Sequence, residues 1–367
     1  MKKIIMSANT SWFIYNFYKD LIKELIEQGF KIYALAPFDK ETQKLAEIGC
    51  ITADIKIDNK GSNFIKDFRT FKAYLEYYRK VKPSYCLHFT VKPNIYGTLA
   101  AKIIGAESIN TITGLGTAFI HETWVSKFVK IMYKLSQSFA KRIFLFNSDD
   151  LELFIRLRLA PPEKLKLIPG SGINLDFFYP SPLKAEVSLF TFLFVGRILR
   201  DKGIVELVEA TRILRNRGVI FRMVVIGFLG VDNRTAITLS QINQWVQEGV
   251  IEYAGTPSDV RTAIRNSDCI VLPSYREGLP LSLLEASAME KPIITTDVAG
   301  CRDVIVHEET GLLCRSKDPM SLANSMEFIL NMPPQKLHEM GVRGRVFVAS
   351  KFDARMVYAH YISEVNP

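Results

Sequence analysis

At 367 residues, 48% of them hydrophobic and 23% charged, the chain exceeds one ordinary core and fits two soluble domains of roughly 180 residues each. No apolar run reaches the ~18–20 residues of a membrane span, and five scattered cysteines (Cys50, Cys86, Cys269, Cys301, Cys314) without a C-x-x-C pair argue against a disulfide framework or a zinc site. The net charge of +9 lies wholly in one half, because residues 1–187 carry 27 Lys and Arg against 18 Asp and Glu whereas residues 188–367 carry 20 of each.

A lysine-rich half points to an anionic partner such as phospholipid headgroups, a lipid diphosphate or nucleic acid, with a solubilising surface as the plain alternative. No glycine-aromatic RNA motif or recognition-helix pattern supports nucleic acid. The start, Met1-Lys2-Lys3-Ile4-Ile5-Met6, is too short and too soon polar for a secretion signal, so the chain is expected in the cytoplasm.

Lys2 to Met6 reads as a buried strand, followed by the polar loop Ser7-Ala8-Asn9-Thr10-Ser11 and an amphipathic segment carrying Phe13, Phe17, Leu21 and Leu25. Strand and helix then alternate through strands at Lys31–Ala36, Cys50–Ile57, Tyr85–Phe89, Ser108–Thr111 and Arg142–Phe146, the pattern of a parallel sheet. Two polar loops follow such strands, His88-Phe89-Thr90-Val91-Lys92-Pro93-Asn94 and Thr111-Ile112-Thr113-Gly114-Leu115-Gly116, and both face the carboxyl edge where open sheets bind ligands. His88 fits a core histidine or a cleft ligand. Lys92, between a strand and Pro-Asn, is placed to meet a phosphate.

Two helical segments set aromatic residues beside cations. One holds Trp124, Val125, Phe128, Val129, Met132, Leu135 and Phe139 with Lys127, Lys130, Lys134 and Lys141; the other holds Phe64, Ile65, Phe68, Phe71, Leu75 and Tyr78 with Lys66, Arg69, Lys72 and Arg79. Each pattern fits an interfacial membrane helix, but for the first segment taken alone the favoured reading is a helix packed on its own sheet. The connector to a second domain is expected within Asn174 to Leu189, where Pro180 and Pro182 punctuate polar sequence. Further strands are expected at Phe190–Val195, Phe221–Ile226, Val250–Tyr253, Cys269–Leu272 and Pro292–Thr296.

Phe194-Val195-Gly196-Arg197, with Asp201-Lys202-Gly203 just beyond, offers two cations at a strand end where a glycine lets backbone approach a phosphate. The apolar run Cys269–Leu272 then enters Pro273-Ser274-Tyr275-Arg276-Glu277-Gly278-Leu279-Pro280, and a helical pattern carries Glu285 two turns on. The two glutamates stand at most ~12 Å apart along the axis, a span that suits a nucleotide-sugar. No D-x-D occurs in the chain, so fixed cations rather than a metal are expected to meet a leaving diphosphate.

These segments together, with Asp297-Val298-Ala299-Gly300 downstream, closely resemble the E-x7-E signature of the family 4 glycosyltransferases. The resemblance implies a GT-B fold, that is, two α/β Rossmann-like domains with parallel sheets facing across a cleft. Residues 1–178 would bind acceptor and 190–350 donor, with a C-terminal helix at about 352–367 packing back on the first domain. It further implies retention of anomeric configuration, Arg197 and Lys202 on the donor diphosphate, Glu277 on the transferred sugar and Glu285 on the ribose. Gly196, Gly278, Leu279 and Pro280 would line the donor site; neither cofactor nor metal is implied.

Asn9 and Ser11 stand where that fold carries a glycine-rich turn, here without its glycines. The loops holding His88, Lys92, Asn94, Thr113, Gly114 and Gly116 resemble the subgroup acting on polyprenyl-diphosphate-linked sugars. The expected activity is therefore transfer of a hexose or N-acetylhexosamine, GalNAc or GlcNAc first, from a UDP-sugar to an undecaprenyl-diphosphate-linked sugar in bacterial N-glycan, O-antigen or capsule assembly. The protein would be peripheral on the cytoplasmic face of the inner membrane, an anionic surface. The alternatives are a soluble transferase with a non-lipid acceptor, a nucleotide-sugar epimerase and a non-enzymatic binder of anionic ligands.

Overall fold

The structure, a computed structural model, describes residues 2–58, 64–115, 124–180, 189–230, 233 and 235–366. It divides into two compact units, residues 1–171 with 356–367, and residues 172–355.

Among the described residues the first unit is built on seven strands, β1 (Lys3–Ser7), β2 (Lys31–Leu35), β3 (Ile51–Ala53), β4 (Tyr85–Phe89), β5 (Glu107–Ile112), β6 (Arg142–Leu145) and β7 (Leu165–Leu167). Their order is β3-β2-β1-β4-β5-β6-β7, and every neighbouring pair runs parallel. Ile4, Ile5, Cys86 and Leu87 in the two central strands are fully buried, as expected where helices cover both faces of a parallel sheet. The covering helices are α1 (Ser11–Glu27), α2 (Thr42–Glu47), α3 (Phe64–Val81), α4 (Thr98–Ile104), α5 (Trp124–Gln137) and α6 (Ser148–Arg156). Thr10 caps α1 by accepting the Phe13 amide at 3.1 Å, and Asn147 caps α6 by accepting that of Asp150 at 2.8 Å.

The second unit repeats the plan with β8 (Thr191–Val195), β9 (Arg222–Ile226), β10 (Glu252–Tyr253), β11 (Cys269–Leu272), β12 (Ile293–Thr296) and β13 (Gly311–Cys314), in the order β10-β9-β8-β11-β12-β13. Its helices are α7 (Ile204–Asn216), α8 (Leu239–Gln247), α9 (Arg261–Arg265), α10 (Leu281–Ala288), α11 (Pro319–Leu330) and α12 (Pro334–Phe352). In each sheet the strand order turns back beside the first strand, at β1/β4 and at β8/β11. Loops leaving the carboxyl ends of such a pair diverge and open a crevice for ligand.

Residues 172–178 stand with the second unit, not the first. The cause is local: Ile173 bridges to Asp353, and Gly172 lies so close that a Cβ there would sit 2.5 Å from the Ala354 Cα. The last helix, α13 (Ala354–Val365), carries Tyr361 into the first unit, where its hydroxyl meets Thr111 Oγ1 at 2.9 Å and its ring meets Phe144 edge-on.

Helix α3 corrects the expected stripe. Asp67, Thr70, Tyr74 and Tyr78 face inward and are buried, while Phe64, Ile65 and Phe68 are 62%, 67% and 66% exposed. Polar inward residues are admissible because each is matched: Tyr74 meets Ser7 Oγ at 2.7 Å and Tyr78 meets His88 Nε2 at 2.8 Å. Helix α5 packs Val129, Met132 and Tyr133 on the core and buries Ser136 and Gln137, yet leaves Ile131 and Leu135 exposed beside Lys127 and Lys134.

Candidate active site

In the second unit, β8 ends at Val195 and the chain passes through Gly196 to Arg197, which is exposed and has no side-chain partner among the described residues. The turn Arg200–Lys202 then lies against the loop after β11, where the Tyr275 amide donates to the Asp201 carbonyl at 2.9 Å. Gly203 permits this approach. Its φ is +74°, and a Cβ there would lie 2.0 Å from the Pro273 carbonyl oxygen.

The result is a contact between the two expected groups. Lys202 Nζ donates to Glu277 Oε1, with both side chains largely buried, and Ser274 Oγ donates to the same oxygen at 2.7 Å. From the other side Glu277 is fixed by its backbone, the amide donating to the Ala299 carbonyl at 3.1 Å. Gly300, with φ +78°, lets that segment close in, since a Cβ there would stand 2.5 Å from the Glu277 carbonyl oxygen. Gly278 and Pro280 are buried and Leu279 partly so, leading into α10.

Glu285 sits on α10, and its carboxylate has no hydrogen bond or ion pair among the described residues. Burial, reinforced by the charge of Asp259, pushes its carboxyl up to about 8. Asp259 is held by Arg261, whose Nη2 donates at 2.6 Å and whose guanidinium lies 3.7 Å from the Phe177 ring centroid. Sequence reading missed Ser274, Asp259 and Arg261; an Asp-x-Arg pair at the start of a short helix carries no signal until the fold sets it beside a glutamate.

The first-unit candidates divide. Asn9 follows β1, Lys92 follows β4, and Thr113 and Gly114 follow β5, so the parallel sheet puts all four at one carboxyl edge, partly exposed. His88 is corrected to a core histidine. It is fully buried, its ring nitrogens meet Tyr78 Oη at 2.8 Å and Asn110 Oδ1 at 2.9 Å, and burial pushes its pKa down to about 4. Asn94 and Ser11 are likewise inward, the first donating to the Thr111 carbonyl at 2.9 Å and the second to that of Pro37 at 3.0 Å. Lys92 is ion-paired with Asp67 at 2.6 Å, so its charge is already matched. Gly116 and the side chain of Trp124 lie outside the described residues. Among the described residues no group of three or more His, Cys, Asp and Glu could hold a metal ion, and no helix is long and apolar enough to cross a membrane.

Residues 180–347 match the family model described as Glycosyl transferases group 1, and residues 3–148 match Glycosyl transferase 4-like. The chain is 27% identical over 366 residues to the N,N'-diacetylbacillosaminyl-diphospho-undecaprenol alpha-1,3-N-acetylgalactosaminyltransferase of Campylobacter jejuni, covering 95% of this chain and 94% of that protein. It is 26% identical to the UDP-Gal:alpha-D-GlcNAc-diphosphoundecaprenol alpha-1,3-galactosyltransferase of Escherichia coli, over 72% of this chain and 70% of that one. Among solved structures, Anabaena HepE in complex with UDP-glucose superposes with a TM-score of 0.82 at 14% identity, covering 99% of this chain and 100% of that one. Such a likeness establishes the GT-B fold.

Proposed function

Because the chain belongs to the glycosyltransferases, group 1 in its second unit and 4-like in its first, we propose that it transfers a hexose or N-acetylhexosamine from a UDP-sugar to an undecaprenyl-diphosphate-linked sugar, with retention. The observation that carries this reading is the Lys202–Glu277 pair at the carboxyl edge of β8 and β11, with Arg197 exposed two residues past the end of β8. Two cations and a carboxylate at a switch point suit a diphosphate next to a sugar hydroxyl. GalNAc and GlcNAc are the first sugars to test, the lipid-linked acceptor being suggested by the two relatives, whose names specify diphospho-undecaprenol substrates.

In the proposed reaction Arg197 and Lys202 hold the donor diphosphate, Glu277 takes hydroxyls of the transferred sugar and Glu285 those of the ribose. In this reading Gly278 and Leu279 line the loop beside the phosphate, and Pro280 has no amide to give. The bond from the anomeric carbon to phosphate oxygen breaks as the acceptor oxygen bonds to the same face of that carbon. The departing phosphate oxygen receives the acceptor's proton. Charge on the leaving UDP is met by fixed cations, so no metal is required. Transfer from a panel of UDP-sugars to a diphospho-undecaprenyl sugar tests the reading, and turnover is expected to persist in EDTA; loss restored by Mn²⁺ would show that a metal carries the charge instead.

A second expectation concerns pH. Ribose hydroxyls donate best to an ionised carboxylate, and Glu285 with a pKa of about 8 must lose a proton to supply one. Affinity for a UDP-sugar, whose phosphates keep their charge through this range, should therefore rise by nearly tenfold per unit between pH 6 and 7.5 and level off above 8. Glu285→Gln should flatten the profile. The stability sign is opposite: the folded state holds the extra proton between the ordinary carboxyl range and about 8, so the contribution of Glu285 to stability declines as pH rises through that window.

The membrane surface is proposed to lie on the first unit. Phe64 on α3 meets Phe128 on α5 edge-on, with ring centroids 5.0 Å apart, joining two helices that expose Ile65, Phe68, Ile131 and Leu135 among lysines. Apolar side chains ringed by cations suit an anionic bilayer. Replacing Lys127, Lys130 and Lys134 by glutamine is expected to weaken binding to anionic liposomes by about tenfold or more at low ionic strength, with UDP affinity unchanged. Unaltered liposome binding would favour a non-lipid acceptor.

A further inference from the structure

Lys202 and Glu277 are both claimed by the proposed donor, yet in the free protein they hold each other. An incoming diphosphate therefore meets a cation already neutralised, and a carboxylate that repels it. Lys202 can leave. Its ammonium ends a flexible four-carbon chain rising from a short turn, whereas Glu277 is fixed through its amide to Ala299 and by the close approach of Gly300. Ser274 cannot leave, because it is fully buried and its own carbonyl accepts the hydroxyl of Thr296 at the end of β12.

We propose that Lys202 changes partner, from Glu277 in the free protein to the donor diphosphate in the complex, and that Ser274 is the positioning residue that keeps Glu277 Oε1 in place through the exchange. The inference rests on the donor-site reading of Lys202 and Glu277. Its consequence is an order of events: phosphate binding releases the carboxylate, and the released carboxylate then receives the sugar hydroxyl. The sugar is thus gripped only when a diphosphate is present to free its ligand.

UDP binding by calorimetry at low ionic strength, paired with transfer rates, tests the exchange. Glu277→Gln and Glu277→Ala are expected to bind UDP about five- to tenfold tighter than the natural protein, because the competing anion is gone, while transfer falls by about 10²-fold. Ser274→Ala should bind UDP normally and lose about tenfold in kcat, with the donor KM within twofold, a split that a loosened fold would not give. If both Glu277 variants bind UDP no tighter although transfer is lost, the partner change is refuted and the donor-site reading stands. If Glu277→Gln and Lys202→Ala both keep full transfer, the site reading fails and the exchange with it. Natural kcat in Ser274→Ala would remove Ser274 from the positioning role.

Discussion

Lys202→Ala is expected to lower kcat/KM by ~10²–10³, the scale of one lost charge contact to a transition state, and Arg197→Ala by a similar factor. The two residues differ in how they start. Arg197 is exposed and unpaired among the described residues, so its removal costs the free protein nothing and the whole loss falls on the complex. Lys202 is paired, and its removal leaves Glu277 Oε1 with Ser274 as a remaining donor in a largely buried position. The alanine variant at 202 should therefore also unfold at a lower temperature, whereas that at 197 should not. Steady-state kinetics with a UDP-sugar, run beside thermal melts, checks both statements. Near-natural rates in both folded variants would put the diphosphate elsewhere.

The second large effect is steric. Gly203→Ala must place a Cβ 2.0 Å from the Pro273 carbonyl oxygen on a backbone with φ +74°. Backbone meets backbone there, so no side chain can swing aside, and the turn carrying Lys202 must shift away from the loop carrying Glu277. A displacement of about 1 Å at a catalytic group is enough for ~10² in rate. The strain and clash should cost at least ~2 kcal/mol, or about 4–8 °C in melting temperature for a unit of this size. Gly218→Ala is the matched comparison, because its φ is +80° but nothing lies within 4 Å of the added carbon. It should lose only the αL penalty of roughly 1 kcal/mol and keep full activity. Equal behaviour of the two variants would show that the Pro273 contact does not set the site.

Most of the fold was legible because its strands are apolar runs of the right length. Tyr85–Phe89 and Cys269–Leu272 are buried throughout and appear where expected. The strands Leu165–Leu167 and Gly311–Cys314 were not expected; each lies at a sheet edge. Helix α3 was legible as a helix but not in its facing, since its inward side is tyrosines and an aspartate whose partners stand elsewhere in the chain. The same limit applied to His88, whose surroundings are set by Tyr78 and Asn110. Arg197, Lys202 and Glu277 were readable from motif and order, and the meeting of Lys202 with Glu277 was implied by neither. It comes from Gly203, whose missing side chain was visible in the sequence but whose neighbour, Pro273, lies 70 residues on.

The return of residues 356–367 to the first unit has a bearing on synthesis. Tyr361 closes a ring cluster of Tyr18, Phe89 and Phe144, and Glu364 accepts Arg142 Nε at 2.7 Å, yet all of these wait for residues 356–367 to be made. On the ribosome the amino-terminal half emerges first and has its sheet, but one apolar face stays uncovered while the 184 residues 172–355 are translated. The nascent chain must therefore carry a sticky, incomplete half for as long as its second half takes to appear. Residues 356–367 thus act as a latch that closes the first unit only after residues 172–355 have been made.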